Sequence, residues 1–310
     1  MPRRSPSVLD LRFQNPRLAR VGVEVLSLEQ LRSRAKPSLF EAPQRVDFHH
    51  LLLIQEGRAE HMVDFVTYGL RPGAVLLVRP GQVQQWKLPA EVQGQLALIS
   101  SEALSPSVAR TDVDMHLLAL AQWPAFSQPS RALFRAAVDD IGRLAADVER
   151  FEGTDVEAAI IRHELLTLLM RLARELRSVI PHREATRDAE IYALFQKELE
   201  ATYAKRLSVL DYARRLGFSE STLSRACVAT VGRTAKAEVD GRVVLEAKRL
   251  LVHSQYTAVQ IAHQLGFTEP TNFLKFFKRG AGCTPLEFRQ AHTIAGRPAN
   301  AQNKRKRLAR

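Results

Sequence analysis

Two stretches of this chain repeat each other, and the repeat leaves few folds open. Asp211-YARRLGFSE-Ser221 resembles Ile261-AHQLGFTEP-Thr271; Ala213, Leu216, Gly217 and Phe218 match Ala262, Leu265, Gly266 and Phe267 at a constant offset of 49 residues. Each copy predicts a short helix ending at Leu216 or Leu265, where the following Gly supplies the positive φ of a sharp turn. Phe218 or Phe267 then plugs the space between crossing helices. Ser219 or Thr268 is expected to cap the next helix, with Glu220 or Glu269 in its first turn. Inside that helix Leu223 and Cys227 face inward in the first copy, and Phe273 and Phe277 do so in the second. Helix, Gly turn, helix is the helix-turn-helix pattern, whose second helix enters the major groove of DNA.

One such pattern is weak, because many all-α proteins contain it. Two in register are considerably stronger. Between them lies Ala235 to Ser254, with Val239, Val243, Leu250 and Leu251 as an apolar stripe. A helix of that length is about 30 Å long. Successive major grooves on one side of B-DNA are about 34 Å apart, so one chain can reach both.

Charge distribution supports a polyanionic partner. Residues 1–200 carry 25 Lys/Arg against 26 Asp/Glu, whereas residues 201–310 carry 20 against 7, so the whole net charge of +12 arises in the last third. Such a surface either binds nucleic acid or only aids solubility. The terminal NKRKRLAR holds 5 of those charges and is either a salt-dependent, sequence-blind attractor or a free end without a role.

Ahead of the repeat, the chain reads as β-rich from about 20 to 100. LLLI (Leu51 to Ile54), VDFVTY (Val63 to Tyr68) and VLLV (Val75 to Val78) are short apolar runs set off by turn signals at Glu56-Gly57, Arg71-Pro72-Gly73 and Arg79-Pro80-Gly81. This spacing predicts a sandwich or barrel. From Asp112 to about Ile180 the pattern turns helical. Ile160, Ile161, Leu165, Leu168, Leu169, Leu172 and Leu176 form a stripe that either closes the β domain's core or pairs with another subunit. The expected division is 1–180 for this domain, a polar linker at 181–187, an all-α domain at 188–295 and a disordered basic tail at 296–310. No apolar stretch approaches 18 residues and the start does not read as a secretory signal, so no membrane partner is expected. Cys227 and Cys283 lack metal-ligand spacing and suit a reducing cytoplasm.

SVLDYARRLGFSESTLSR, EAKRLL (Glu246 to Leu251) and the long run AVQIAHQLGFTEPTNFLKFFKRGAGCTPLEFR (Ala258 to Arg289) resemble the DNA-binding domain of the AraC/XylS family of transcriptional regulators. The resemblance covers about a third of the chain. It implies seven helices on two consecutive major grooves of promoter DNA, close to RNA polymerase, and an activator more than a repressor. It also implies base contacts at Ser221, Ser224 and Arg225 in the first unit and at Thr271 and Lys275 in the second. The two serines are shorter than the residues many relatives carry there.

Side-chain chemistry adds further candidates. Asn272 can pair with adenine, Leu274 can meet a thymine methyl, and Arg225 can bond guanine bidentately. Arg242, Lys278 and Arg279 are candidates for phosphate, whereas Arg214 and Arg215 are either phosphate contacts or solvated charges. The Phe cluster (Phe267, Phe273, Phe276, Phe277, Phe288) reads as packing, since duplex bases are not free to stack.

HHLLLIQEG and RPGAVLLVRPGQ resemble a cupin-type ligand-binding half. The expected fold class is therefore α+β: a cupin-like β-barrel with flanking helices, then an all-α domain with two helix-turn-helix motifs. Metal-binding cupins often place a histidine after the second PG turn, but GQVQQW has none, and His49 and His50 point to opposite faces of a strand. No metal, other cofactor or catalytic residue is expected. His50 and Trp86 either line a pocket for an unknown small-molecule effector or belong to the core, and a homodimer is expected. Two other readings stay open: a non-specific or architectural DNA binder, and a cupin-type metalloenzyme fused to a helical module.

Overall fold

The computed structural model describes residues 9–104, 120, 123–176 and 187–295. The chain divides into two compact units, residues 1–184 and 185–310. The expected tail at 296–310 lies outside the described residues, as do the start of the helical stretch after Asp112 and all of the expected linker except Arg187.

Among the described residues of the first unit, ten strands form two five-stranded sheets. One has the order β1 (Leu9–Leu11), β3 (Gln44–Val46), β8 (Val83–Lys87), β5 (Ala59–Val63), β6 (Val66–Leu70). The other runs β10 (Phe126–Ser127), β7 (Val75–Val78), β4 (His49–Glu56), β9 (Gln93–Ile99), β2 (Val23–Ser27). Among the described residues only the β1–β3 pair is parallel. Two short helices, α1 (Leu28–Arg34) and α2 (Ser38–Glu41), follow β2, and two longer ones, α3 (Arg131–Arg150) and α4 (Asp155–Leu176), follow β10.

LLLI and VLLV lack a polar face because the second sheet is covered on both sides. Successive side chains alternate across a strand. Leu51, Leu53, Val75 and Leu77 join the core shared with α3 and α4, whereas Leu52, Ile54, Leu76 and Val78 join the core shared with the first sheet. Ile161, Leu165, Leu168, Leu169 and Leu172 of α4 are buried in the former, so the helical stripe closes its own unit's core. Ile160, expected in that stripe, is instead 45% exposed. The side chain of Leu176 is outside the described residues. Arg171 of α4 pairs with the buried Asp140 of α3 at 2.9 Å.

VDFVTY is not one strand. It folds back on itself at Asp64 and Phe65, which both take positive φ, so that Val63 faces Val66 across a two-residue turn. Two consecutive left-handed residues make the turn whose twist matches the flanking strands. Phe at such a position gave no turn signal.

The second unit is all-helical: α5 (Arg187–Thr202), α6 (Val209–Leu216), α7 (Glu220–Val231), α8 (Ala235–His253), α9 (Ala258–Gln264), α10 (Pro270–Ala281) and α11 (Pro285–Ala295). Gly217 caps α6 at φ +74, and the Ser219 hydroxyl accepts a hydrogen bond from the Thr222 N–H to start α7. The second copy differs by one residue. Gly266 turns at φ +77, but α10 starts with Pro270 at its first turn and Glu269 as N-cap, without a side-chain cap bond. Thr268 is therefore not the cap. The offset is 49 residues through the turn and 50 in the helix, and proline at the first helical position sets where that helix can begin.

Candidate nucleic-acid interface and effector pocket

α10 has two chemically distinct faces. Phe273 and Phe277 are fully buried and Phe276 nearly so, packed with Phe267 and Phe288 at ring distances of 5.2 to 5.9 Å. Opposite them, Thr271, Asn272, Leu274, Lys275, Lys278 and Arg279 are all exposed. The 3.6-residue period divides the helix, placing the longer cationic chains on its solvent side. Glu287, near the start of α11, accepts from the Thr284 N–H, which together with the threonine hydroxyl holds its carboxyl below the usual range.

On α7 the corresponding face is smaller. Leu223, Ala226 and Cys227 are buried, Ser221 and Arg225 are exposed, and Ser224 is half-buried. Burial, with Glu238 nearby, pushes the Cys227 thiol up to about 12, which leaves it a protonated core residue. Ser221 Oγ lies 2.9 Å from the capping Ser219 Oγ. Val228, at 50% exposure, extends this face.

Arg242 does not join either surface. Its side chain is only 10% exposed, pairs with Glu200 at 2.9 Å and Glu246 at 3.1 Å, and lies 3.9 Å over the Tyr203 ring. This overturns the expectation of a phosphate contact: the guanidinium is already neutralised inside the unit, and those two carboxylates hold its proton more tightly than usual despite burial. Sequence reasoning counted the charge without its partners. Arg215 pairs with Glu198 at 2.7 Å, while Arg214 is exposed.

In the first unit, His50 and Trp86 are 4% and 3% exposed, between the two sheets, with ring centres 6.1 Å apart. His61 stands edge-on to Trp86 at 4.4 Å. Two buried glutamines complete the cluster. His61 Nε2 lies 3.0 Å from Gln84 Oε1, the Gln84 amide donates to Gln44 Oε1 at 3.2 Å, and Trp86 Nε1 donates to the same oxygen at 3.2 Å. Nδ1 of His61 has no hydrogen-bond partner, and His50 makes no bond of good geometry although Gln84 lies near it. Burial lowers the pKa of His50 to about 3, with the nearby His61 and His49 adding to the shift, and burial lowers that of His61 to about 4. Both rings are neutral at pH 7. Gln84 and His61 were missed as site residues, although Gln84 precedes Trp86 by two and strand alternation puts both on one face.

Among the described residues no three His, Cys, Asp or Glu side chains converge as a metal site, and no helix is long and apolar enough to cross a membrane. A cavity of about 300 Å³ in this unit is lined elsewhere, by Arg17, Glu24, Arg34, Gln95 and Glu149 among others.

Comparison with known proteins matches both units. Residues 27–170 match the AraC-like ligand binding domain, and residues 212–291 match a helix-turn-helix domain. The HTH-type transcriptional activator RhaS of Escherichia fergusonii is 24% identical over 256 residues, covering 83% of this chain and 88% of that protein. RhaS of Salmonella arizonae is 24% identical over 245 residues, covering 79% and 86%. Among solved structures, fatty-acid-bound ToxT from Vibrio cholerae matches 86% of this chain and 93% of its own, at 14% identity and a TM-score of 0.39. With a ligand-binding match followed by a helix-turn-helix match, and relatives aligned across both, the chain belongs to the AraC/XylS family of transcriptional regulators.

Proposed function

We propose that this protein is an effector-responsive activator of transcription that binds promoter DNA sequence-specifically through two helix-turn-helix units. The observation that carries this reading is α10, whose Phe core faces one way while Thr271, Asn272, Leu274, Lys275, Lys278 and Arg279 face solvent. In this reading Thr271, Asn272, Leu274 and Lys275 meet bases, as do Ser221, Ser224 and Arg225 of α7, and Lys278 and Arg279 hold phosphate. The equivalent turns at Gly217 and Gly266 support treating both helix pairs as DNA-binding units. RhaS, a transcriptional activator by name, supports activation, and with it contact with RNA polymerase in the cytoplasm.

The two sheets are read as a cupin-like barrel holding the effector beside His50 and Trp86. Unpartnered polar atoms in a core cost about 1–3 kcal/mol each. A ligand hydroxyl placed there would give His50 the well-formed bond that nearby Gln84 does not, which supports the assignment. A homodimer formed through this unit completes the proposal.

Competition binding tests it. At physiological salt, a duplex selected by the full-length protein should bind at least about 10³-fold more tightly than random duplex. Equal affinity for both would leave a non-specific binder instead.

A further inference from the structure

The chain between α5 and α6 is tied to both helix pairs at once. Tyr203–Lys205 form a 3-10 turn closed by Arg206 at φ +53, and Ser208 two residues later caps α6 with its hydroxyl on the Asp211 N–H. One end of this strap therefore belongs to the first pair. Its middle is seated on the second. The Arg206 guanidinium carbon lies 4.3 Å from the ring centre of Phe267, which follows the Gly266 turn, and 4.8 Å from that of Phe276 on α10.

The backbone makes the same connection. A Cβ at Gly266 would stand 2.2 Å from the Ala204 carbonyl oxygen and 2.9 Å from Arg206 Cγ, whereas at Gly217 it would meet nothing within 4 Å. Only the second turn is pressed against a neighbour. From the connecting helix, Arg242 lies over Tyr203 and pairs with Glu200 of α5. An arginine in the left-handed region is disfavoured and persists where its surroundings over-determine it. Here those surroundings are two aromatic faces, which attract a guanidinium electrostatically.

We propose that Arg206 is a positioning residue: its strap sets the distance and angle between α7 and α10, and so the spacing of the two DNA segments the protein accepts. The connecting helix α8 already packs on both helix pairs, with Val239 in the core of the first and Val244 against Gly280 of the second. Arg206 on Phe267 and Phe276 adds a second tie that does not run through α8, and two separate ties fix an angle that one leaves easier to bend. The inference rests on the reading that both helix pairs enter DNA.

Spacing-shifted duplexes test it. The full-length protein is used to select a duplex from random sequence, and one or two base pairs are then inserted between its two protected segments. Each insertion turns one groove relative to the other by about 35°. Wild-type protein should lose at least about tenfold in affinity on the shifted duplexes. Arg206→Gly keeps the left-handed backbone and removes the guanidinium. Its preference for the selected spacing should fall below about threefold, while binding to a duplex carrying only the α10 segment stays within about twofold of wild type. Arg206→Lys keeps the charge without the planar face and should fall in between; it also serves if the glycine variant does not fold. Undiminished spacing preference in a folded variant overturns the proposal, and so does an equal loss on the single segment and the full duplex. If wild-type protein ignores spacing, the two-groove reading fails and the strap's role fails with it.

Discussion

The guanidinium of Arg225 on α7 lies 3.5 Å from the carboxylate of Asp188, in the first turn of α5. The arginine side chain is 65% exposed and the aspartate 24%. In the proposed complex the same guanidinium bonds a base, and its five N–H donors let one edge face Asp188 while the other faces DNA. Asp188 thus sets a negative charge beside a side chain that the proposal turns toward a polyanion.

Asp188→Asn should therefore tighten binding to the selected duplex. Exposed ion pairs are worth about 0–1 kcal/mol, which sets the expected gain at up to roughly fivefold. Fluorescence anisotropy at fixed salt measures it. Weaker binding by the variant would mean that Asp188 orients Arg225 toward DNA instead of restraining it.

Arg225→Ala and Lys278→Ala should fail differently. Losing a bidentate base contact costs about 1–3 kcal/mol and relaxes preference at one position. Losing a phosphate contact weakens every sequence alike and lowers the slope of log affinity against log salt by about 1. Parallel titrations on selected and random duplexes, at several salt concentrations, separate the two. Equal losses on every sequence for both variants would remove the division of roles.

The two turn glycines should differ in sensitivity to alanine. Both have positive φ, which costs an L-residue roughly 1–2 kcal/mol. At Gly217 that is the whole expected loss, because the space beside it is open. At Gly266 the new Cβ also meets the Ala204 carbonyl, so Gly266→Ala should lose at least about twice as much. Denaturant unfolding of the two variants compares them directly, and similar midpoints would contradict the docked turn.

The first unit should lose stability in mild acid. His50 and His61 stay neutral in the fold down to about pH 3 and 4, whereas an unfolded histidine takes up its proton near 6.5. Their neutral burial is fully tolerated above 6.5, and stability falls as pH drops from 6.5 toward those folded values. Each contributes a slope of about 1.4 kcal/mol per pH unit within that window. His50→Leu should flatten the fall in melting temperature between pH 7 and 5. An unchanged pH profile in that variant would assign the acid sensitivity to other groups.

What sequence alone determined here was local. Ser219, Gly217 and Glu220 act within a few residues of one another, so their cap and turn follow from residue type. The Phe and Leu stripes are legible because helical period divides core from surface without reference to any partner. The shift of one residue at Thr268-Glu269-Pro270 was less accessible, since two adjacent residues could each begin a helix and only Pro270 selects one. Asp64-Phe65 was not accessible, because nothing in a Val-Asp-Phe-Val run marks a reversal until the strands pair. Tertiary structure alone decided the rest. It placed Glu200, Glu246 and Tyr203 around Arg242, which removed that arginine from the DNA-facing set. It gathered Gln44, His50, His61, Gln84 and Trp86 from four strands and left His50 without a well-formed hydrogen bond. It also seated Arg206 on Phe267, some sixty residues away in the chain. A charge or a ring has the same letter wherever it lies. Its role depends on solvent and partners supplied by distant segments, and those are set only when the chain packs.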